Sequence, residues 1–261
     1  MKLFHICTIA NRLEQYEEMK SSFVEAGFDD SRCRYSVFDN SKSNIYEPYS
    51  TINYILANTE EPYIIFCHQD VLINQGHGFD QLFKVLKELD QLDPNWAVAG
   101  NSGINNNYEH IVKITDPHNT PLWDAGFPQK VYSLDENFFV IKSSANIACS
   151  SELSGFHLYV TDLCLNATVK GYSCYVIDFH ITHLSRGNLS QDFWDLRTKF
   201  QKRWSSEFSF GYLKTPSTSI FLSKNKAMRY IFSNRRIMSW VLSNRRLRKW
   251  MKLQTIAGMR V

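Results

Sequence analysis

Short apolar runs alternate with amphipathic segments along the first part of the chain. The runs at 2–8, 33–38, 63–67 and 96–100 read as strands, and the one at 63–67 is apolar on both faces, as a central parallel strand is. Between them the Glu-rich stretch 12–26, closed by Gly27, predicts a surface helix with a glycine stop. Residues 49–58 predict a second helix, and Phe79, Leu82, Phe83, Leu86 and Leu89 recur at the spacing of a third. Such alternation is the signature of an α/β fold with a mostly parallel sheet and crossover helices. Over 101–128 the pattern dissolves into Asn, Gly, Pro and His, which reads as a long loop with at most short strands. VYSL from Val131 and FFVIK from Phe138 restore strand character, followed by a helix over 158–170 and a strand over 172–177. After Ser190 the chain reads as helical or irregular. From Lys224 it reads as basic amphipathic helices, with SNRR repeated at Ser233 and Ser243 and these serines as expected N-caps. The expected organisation is one domain over 1–205 and a basic helical tail over 206–261.

Composition narrows the class. At 261 residues and 44% hydrophobic, the chain can bury a substantial core, which excludes a disordered or collagen-like protein. Its six cysteines are scattered and form no CxxC pair, so they read as buried thiols and argue against structural zinc or a disulfide scaffold. No apolar run is long enough to span a bilayer, and MKLFHICTIANR reads as a first strand rather than a signal peptide. The expected location is therefore the cytoplasm. Charge is divided unevenly: of 29 bases, twelve follow Glu207, where no acid occurs, leaving 17 bases against 26 acids in residues 1–207. An acidic body carries a basic tail.

Two segments concentrate chemistry. FCHQDV places His68 and Asp70 at the carboxyl end of the third strand, where open α/β sheets bind ligands. A hard carboxylate beside an imidazole suits Mn²⁺ or Mg²⁺ holding a diphosphate. On this segment alone, Asp70 as a turn cap and His68 as a core histidine stay open. GFHLYVTDLCLNATVKGYSCYVIDFHITHLSRGN brackets the start of a helix with His157 and Asp162, then ends a strand with His180, His183 and Arg186. A helix start favours an ionised carboxylate or a bound anion. A capping Asp162 and surface histidines remain the plain alternative.

Taken together, DNSKSN, YIIFCHQDV, WAVAGNSG, VYSLDENFFVIKSS and GFHLYVTDLCLNATVKGY, in that order, resemble the glycosyltransferases of the GT-A fold. The likeness is to the family 2 type, in the subgroup where HQD replaces the familiar DxD. The resemblance implies a Rossmann-like, mostly parallel sheet, a nucleotide-diphosphate-sugar donor of UDP type, and a divalent metal. It maps nucleoside contacts onto Ile9, Asn11, Asp39 and Asn40, the DxD segment onto His68, Gln69 and Asp70, and the metal-side histidine onto His183. Asp162 takes the place of the catalytic acid, with His157 beside it. Tyr159 and Val160 stand where the family commonly has an acidic pair. Asp135, Glu136 and Trp123 are candidates for acceptor or sugar contacts.

The expected function is metal-dependent transfer of a sugar to a hydroxyl of a glycan or lipid-linked glycan. The alternative is a non-catalytic sugar-nucleotide or glycan-binding relative. In the tail, apolar residues from Met228 to Met251 interleave with bases, Trp240 and Trp250, the composition of an interfacial helix. An anionic membrane surface at its cytoplasmic face, rather than nucleic acid, is the expected partner of the tail. The plain alternative is a helix packing its apolar stripe on the body.

Overall fold

The computed structural model describes residues 2–185, 187, 190–252 and 254–255. The first half runs β1 (Phe4–Ala10), α1 (Leu13–Glu25), β2 (Cys33–Asp39), α2 (Pro48–Asn58), β3 (Tyr63–Cys67), β4 (Val71–Ile73), α3 (Phe79–Leu92) and β5 (Trp96–Gly100). There follow β6 (Ser102–Ile104), β7 (His110–Val112), β8 (Ile114–Thr115), β9 (Gln129–Val131), β10 (Ser133–Leu134), β11 (Phe138–Lys142), α4 (Tyr159–Val169), β12 (Ser173–Val176) and β13 (Ile181–His183). The chain closes with α5 (Gln191–Trp204), β14 (Phe208–Lys214), β15 (Ser219–Ser223), α6 (Lys226–Phe232), α7 (Arg235–Ser243), α8 (Arg245–Trp250) and β16 (Gln254–Thr255).

A mainly parallel seven-stranded sheet, in the order β2-β1-β3-β11-β5-β12-β9, forms the centre. β1 runs parallel to β2 and β3, and β12 parallel to β5, while β11 and β9 run antiparallel to their neighbours. β3 and β5 are buried at every position because helices cover both faces, which explains their unbroken apolar runs. One face packs against α1 and α3. From α1, an otherwise polar helix, only Tyr16, Met19 and Phe23 are buried, and α3 contributes Phe79, Leu82, Leu86 and Leu89. Each such side chain contributes about 1.5–3 kcal/mol on burial. On the other face α2, α4 and α5 supply Tyr49, Ile52, Leu163, Phe193 and Trp204. α2 starts where it does because Pro48 fits the first turn and the Glu47 carboxylate accepts the Tyr49 and Ser50 N–H groups.

Two features position the site. β11 pairs Phe138 with Cys67, and the His68 N–H reaches the Asn137 carbonyl at 2.9 Å, so the turn before β11 lies beside the end of β3. β13 pairs His183 with Val71, and the Leu184 N–H reaches the Asp70 carbonyl at 3.0 Å. Segments far apart in sequence thereby meet at the carboxyl edge of the sheet.

The C-terminal region departs from the expected pattern. The packing does not break at residue 205: β14 and β15 form an antiparallel hairpin whose Phe208, Leu213, Ile220 and Leu222 belong to the main core. A helical or irregular reading missed this hairpin, although Phe208, Phe210 and Tyr212 alternate with Ser209 and Gly211 along β14. The apolar stripe of α6–α8 is used internally. Met228, Phe232, Ile237, Met238, Val241, Leu242 and Leu247 pack around Tyr212 and Phe221 of the hairpin. The N-caps of α7 and α8 are Asn234 and Asn244, not the serines before them, because each amide oxygen accepts N–H groups of the following first turn. Ser233 and Ser243 instead end the preceding helices. No described helix is long and apolar enough to cross a membrane.

Candidate active site

Two cavities open side by side at the carboxyl edge of the sheet. The first, about 260 Å³, is lined by Ile9, Asn11, Asn40, Asn44, Pro48 and Phe66, and ends on His68, Gln69, Asp70 and Tyr159. The second, about 570 Å³, is lined by His68, His183, Asp135, Glu136 and His157, and Pro216 and Ser217 of the β14–β15 turn also line it. His68 is common to both.

At the junction, one ligand atom each from His68, Asp70 and His183 lies within 4.8 Å of the others. His183 Nε2 is 3.4 Å from Asp70 Oδ1 and 3.4 Å from His68 Nδ1. Burial followed by the neighbouring His183 pushes the His68 pKa down to about 4, so its imidazole is neutral at pH 7 and offers a lone pair. Burial acts to raise the Asp70 carboxyl, but hydrogen bonds from His183 and Ser185 outweigh it and hold it below the ordinary carboxylate range. Burial likewise acts to lower His183, and the Asp70 carboxylate outweighs that and raises it. A carboxylate and two imidazoles on one focus form a mixed nitrogen and oxygen donor set that fits a divalent transition ion such as Mn²⁺ better than Mg²⁺. Tyr159, which sequence reasoning passed over as a lost acid, approaches His68 Nε2 with its hydroxyl at 3.2 Å and donates to the Glu136 carbonyl at 3.3 Å. It supports the outer side of the imidazole, an arrangement that orients metal ligands.

The other expected donor residues divide. Ile9 and Asn11 line the first cavity. Gln69 is occupied with the loop after β1: its side-chain oxygen accepts the Asn11 and Arg12 N–H groups at 2.8 and 3.0 Å, and its amide donates to Asn11 and Gln15. Asn40 is buried and folds the following turn by accepting from Ile45 and Tyr46, yet still borders the cavity. Asp39 is exposed, and its carboxylate accepts the Ser41 N–H at 2.7 Å.

Asp162 is a correction. It does not face either cavity but is wholly buried on α4, where its carboxylate accepts from Ser150 N and Oγ, Trp204 Nε1 and Asn166 Nδ2 at 2.6–3.1 Å. Burial pushes it up, and the Ser150 and Trp204 bonds hold the rise back. An acid with four donors and no solvent cannot receive a proton from an acceptor hydroxyl. Every residue of α4 from Tyr159 to Leu165 is buried, so the pattern YVTDLCL could not reveal that Asp162 points into the core. Trp123 is a second correction: it packs against the main core and lines neither cavity. Arg186 lies outside the described residues.

The cleft supplies another acid. Glu136 faces His157 across 3.7 Å, with 22% of its side chain exposed. Burial raises its pKa, the His157 bond draws it partly back, and the neighbouring Asp135 adds to the rise. Asp135 itself caps the turn by accepting the Asn137 N–H at 3.1 Å. The His157 ring meets Phe193 edge-on at 5.2 Å. His68, Asp70 and His183 thus offer a donor set for a divalent cation, and Glu136, which lines the second cavity with His68 and His183, is a carboxylate able to take a proton.

The chain is 30% identical over 212 residues to the "ATP synthase subunits region ORF 6" protein of Fuscovulum blasticum, covering 79% of this chain and 85% of that one. In structure it is similar to S. aureus TarS 1–349 in complex with UDP-GlcNAc, with a TM-score of 0.52 and 13% identity. That match covers 77% of this chain, which spans 66% of the TarS fragment. The likeness shows a GT-A-like fold, in agreement with the α/β sheet and flanking helices. No family model matches the chain.

Proposed function

The chain belongs to the family of the Fuscovulum blasticum ATP synthase subunits region ORF 6 protein, and on that fold we propose that it is a metal-dependent glycosyltransferase of the family 2 type with HQD in place of DxD. The observation that carries this reading is the convergence of His68, Asp70 and His183 at the junction of the two cavities. The first cavity takes the nucleoside, with UDP as the expected carrier because the TarS neighbour holds UDP-GlcNAc. The second takes a glycan or lipid-linked acceptor.

His68, Asp70 and His183 would hold the divalent cation, with Mn²⁺ the expected ion. Bound there, it would supply charge to the departing diphosphate. Glu136 accepts the proton of the acceptor hydroxyl as that oxygen bonds to the anomeric carbon, whose bond to the diphosphate oxygen breaks. His157 orients the Glu136 carboxylate. The rival reading, a binding relative without turnover, draws support from the fully buried Val160 and Asp162, which leave α4 without a reactive acid. Transfer with Mn²⁺ separates the two: donor binding without transfer to any glycan acceptor supports the rival.

The test of the reading is a panel of UDP-, GDP- and dTDP-sugars screened for thermal stabilisation with and without Mn²⁺. A ligand at 100 times its dissociation constant adds about 2.7 kcal/mol. Asp70→Ala is expected to weaken Mn²⁺ binding at least about tenfold while keeping the fold, since two ligands of three remain. Unchanged Mn²⁺ affinity in calorimetry would show the HQD segment to be structural.

We also propose an anionic membrane surface as the partner of the basic region. Tyr230, Trp240 and Trp250 stay 87, 63 and 62% exposed after the apolar stripe is spent on the hairpin, and Arg235, Arg236, Arg245 and Arg246 are exposed among them. Each base near such a surface contributes about 1 kcal/mol before screening. Because the hairpin that carries these helices also lends Pro216 and Ser217 to the second cavity, attachment would turn that cavity toward a membrane-borne acceptor. Trp240→Ser combined with Arg245→Glu and Arg246→Glu is expected to abolish co-sedimentation with phosphatidylglycerol vesicles. Equal recovery of variant and parent in the pellet would refute the attachment.

A further inference from the structure

Phe156 occupies an unusual place. Its side chain borders three cavities: the nucleoside cavity, the acceptor cleft and a groove against α5 lined by Asp192, Asp195 and Lys199. It is 42% exposed, although the residues around it in the site are largely buried. A large aromatic left open where two cavities meet is a contact surface awaiting an apolar face.

The backbone is shaped to hold it there. Gly155 sits at φ +138°, and a Cβ at that position would come within 2.9 Å of Leu196 Cδ2, so only glycine fits. Leu158, a residue that disfavours the left-handed region, adopts φ +61°. Strain of this kind persists where the surroundings over-determine it, and here two anchors do so. The Gly155 N–H donates to the Glu47 carboxylate at 3.1 Å, and the His157 carbonyl accepts the Tyr49 hydroxyl at 2.9 Å. Both anchors come from the start of α2. Phe156 therefore projects from a short segment pinned on either side, with little freedom left to lose on binding.

We infer that Phe156 is the platform on which the apolar face of the transferred sugar ring rests, so that the transferred group is a ring with axial hydrogens on one face, as in a pyranose. On the proposed reading the diphosphate lies toward His68 and Asp70 and the acceptor toward Glu136, so the sugar lies between the two cavities, both of which Phe156 lines. The inference rests on the glycosyltransferase reading and names its sugar contact. It also supplies the aromatic role that Trp123, packed into the core, does not fill.

The experiment is calorimetry on the full chain with Mn²⁺, using the nucleotide sugar that stabilises most in the panel and its parent nucleoside diphosphate. Phe156→Ala is expected to weaken the nucleotide sugar about tenfold and the diphosphate less than about twofold. Phe156→Tyr should restore the sugar affinity. Equal losses for both ligands, or no loss for the sugar, would overturn the inference while leaving the glycosyltransferase reading intact. Absence of binding by every nucleotide sugar to the unmodified chain would instead overturn that reading and this inference with it.

Discussion

Glu136→Gln is expected to lower the rate of sugar transfer by about 10² to 10⁴-fold while nucleotide-sugar affinity stays within about twofold. The amide keeps the size of the side chain but cannot accept the proton of the attacking hydroxyl. Because that proton moves only in the transition state, the loss belongs to turnover and not to donor binding. The acid limb of the wild-type rate profile should lie above the ordinary glutamic acid pKa of about 4.3, since burial raises Glu136. Activity is lost as pH falls through that raised value, and the variant should lack this limb. For stability the sign is opposite. A carboxyl raised by folding contributes stability that is full below its unfolded pKa and lost as pH rises through the folded one. Removing the charge should therefore leave the neutral-pH melting temperature unchanged or higher. Single-turnover assays across pH test the assignment, and near-normal transfer by the variant would pass the role to Asp135.

The difference between what could and could not be read from the sequence follows from range. Local periodicity reports which residues share a face, so Phe79, Leu82, Leu86 and Leu89 marked their helix, and the buried run 63–67 marked its central strand. FCHQDV alone left Asp70 open as a turn cap, and it read as a candidate site only together with the other segments in their order. The partner of Asp70 was legible only through the resemblance, since His183 reaches it through antiparallel β4–β13 pairing more than 100 residues away. Pairing register is not written in either segment alone. Glu136 was weighed as an acceptor or sugar contact for the same reason: its place near His68 depends on β11 running antiparallel to β3. Phe156 was missed because nothing in GFHLY tells an exposed ring from a buried one. Gly155 was the available signal, a glycine directly before an aromatic and a helix start.

Asp162→Ala is expected to cost about 3 kcal/mol of stability, a fall in melting temperature of roughly 6–12 °C, and to reduce transfer only in step with the folded fraction. The carboxylate lies in the core between α4, the Ser150 turn and α5. Without it the Ser150 N–H, the Ser150 hydroxyl and the Trp204 Nε1–H lose their acceptor where no water replaces it. Trp204 is itself fully buried, and its bond to Asp162 fixes the end of α5 against α4, the helix that carries Tyr159 to His68. Asp162→Asn should recover part of the loss, because its amide oxygen still accepts two of these bonds while its NH₂ faces the remaining donors. A catalytic base behaves in the opposite way, losing turnover by orders of magnitude at constant stability. Denaturant melts paired with transfer rates per folded molecule therefore distinguish the two roles. Full stability with a collapsed rate would return Asp162 to the chemistry; a lowered melt with a normal rate per folded molecule assigns it to holding α4 and α5 together.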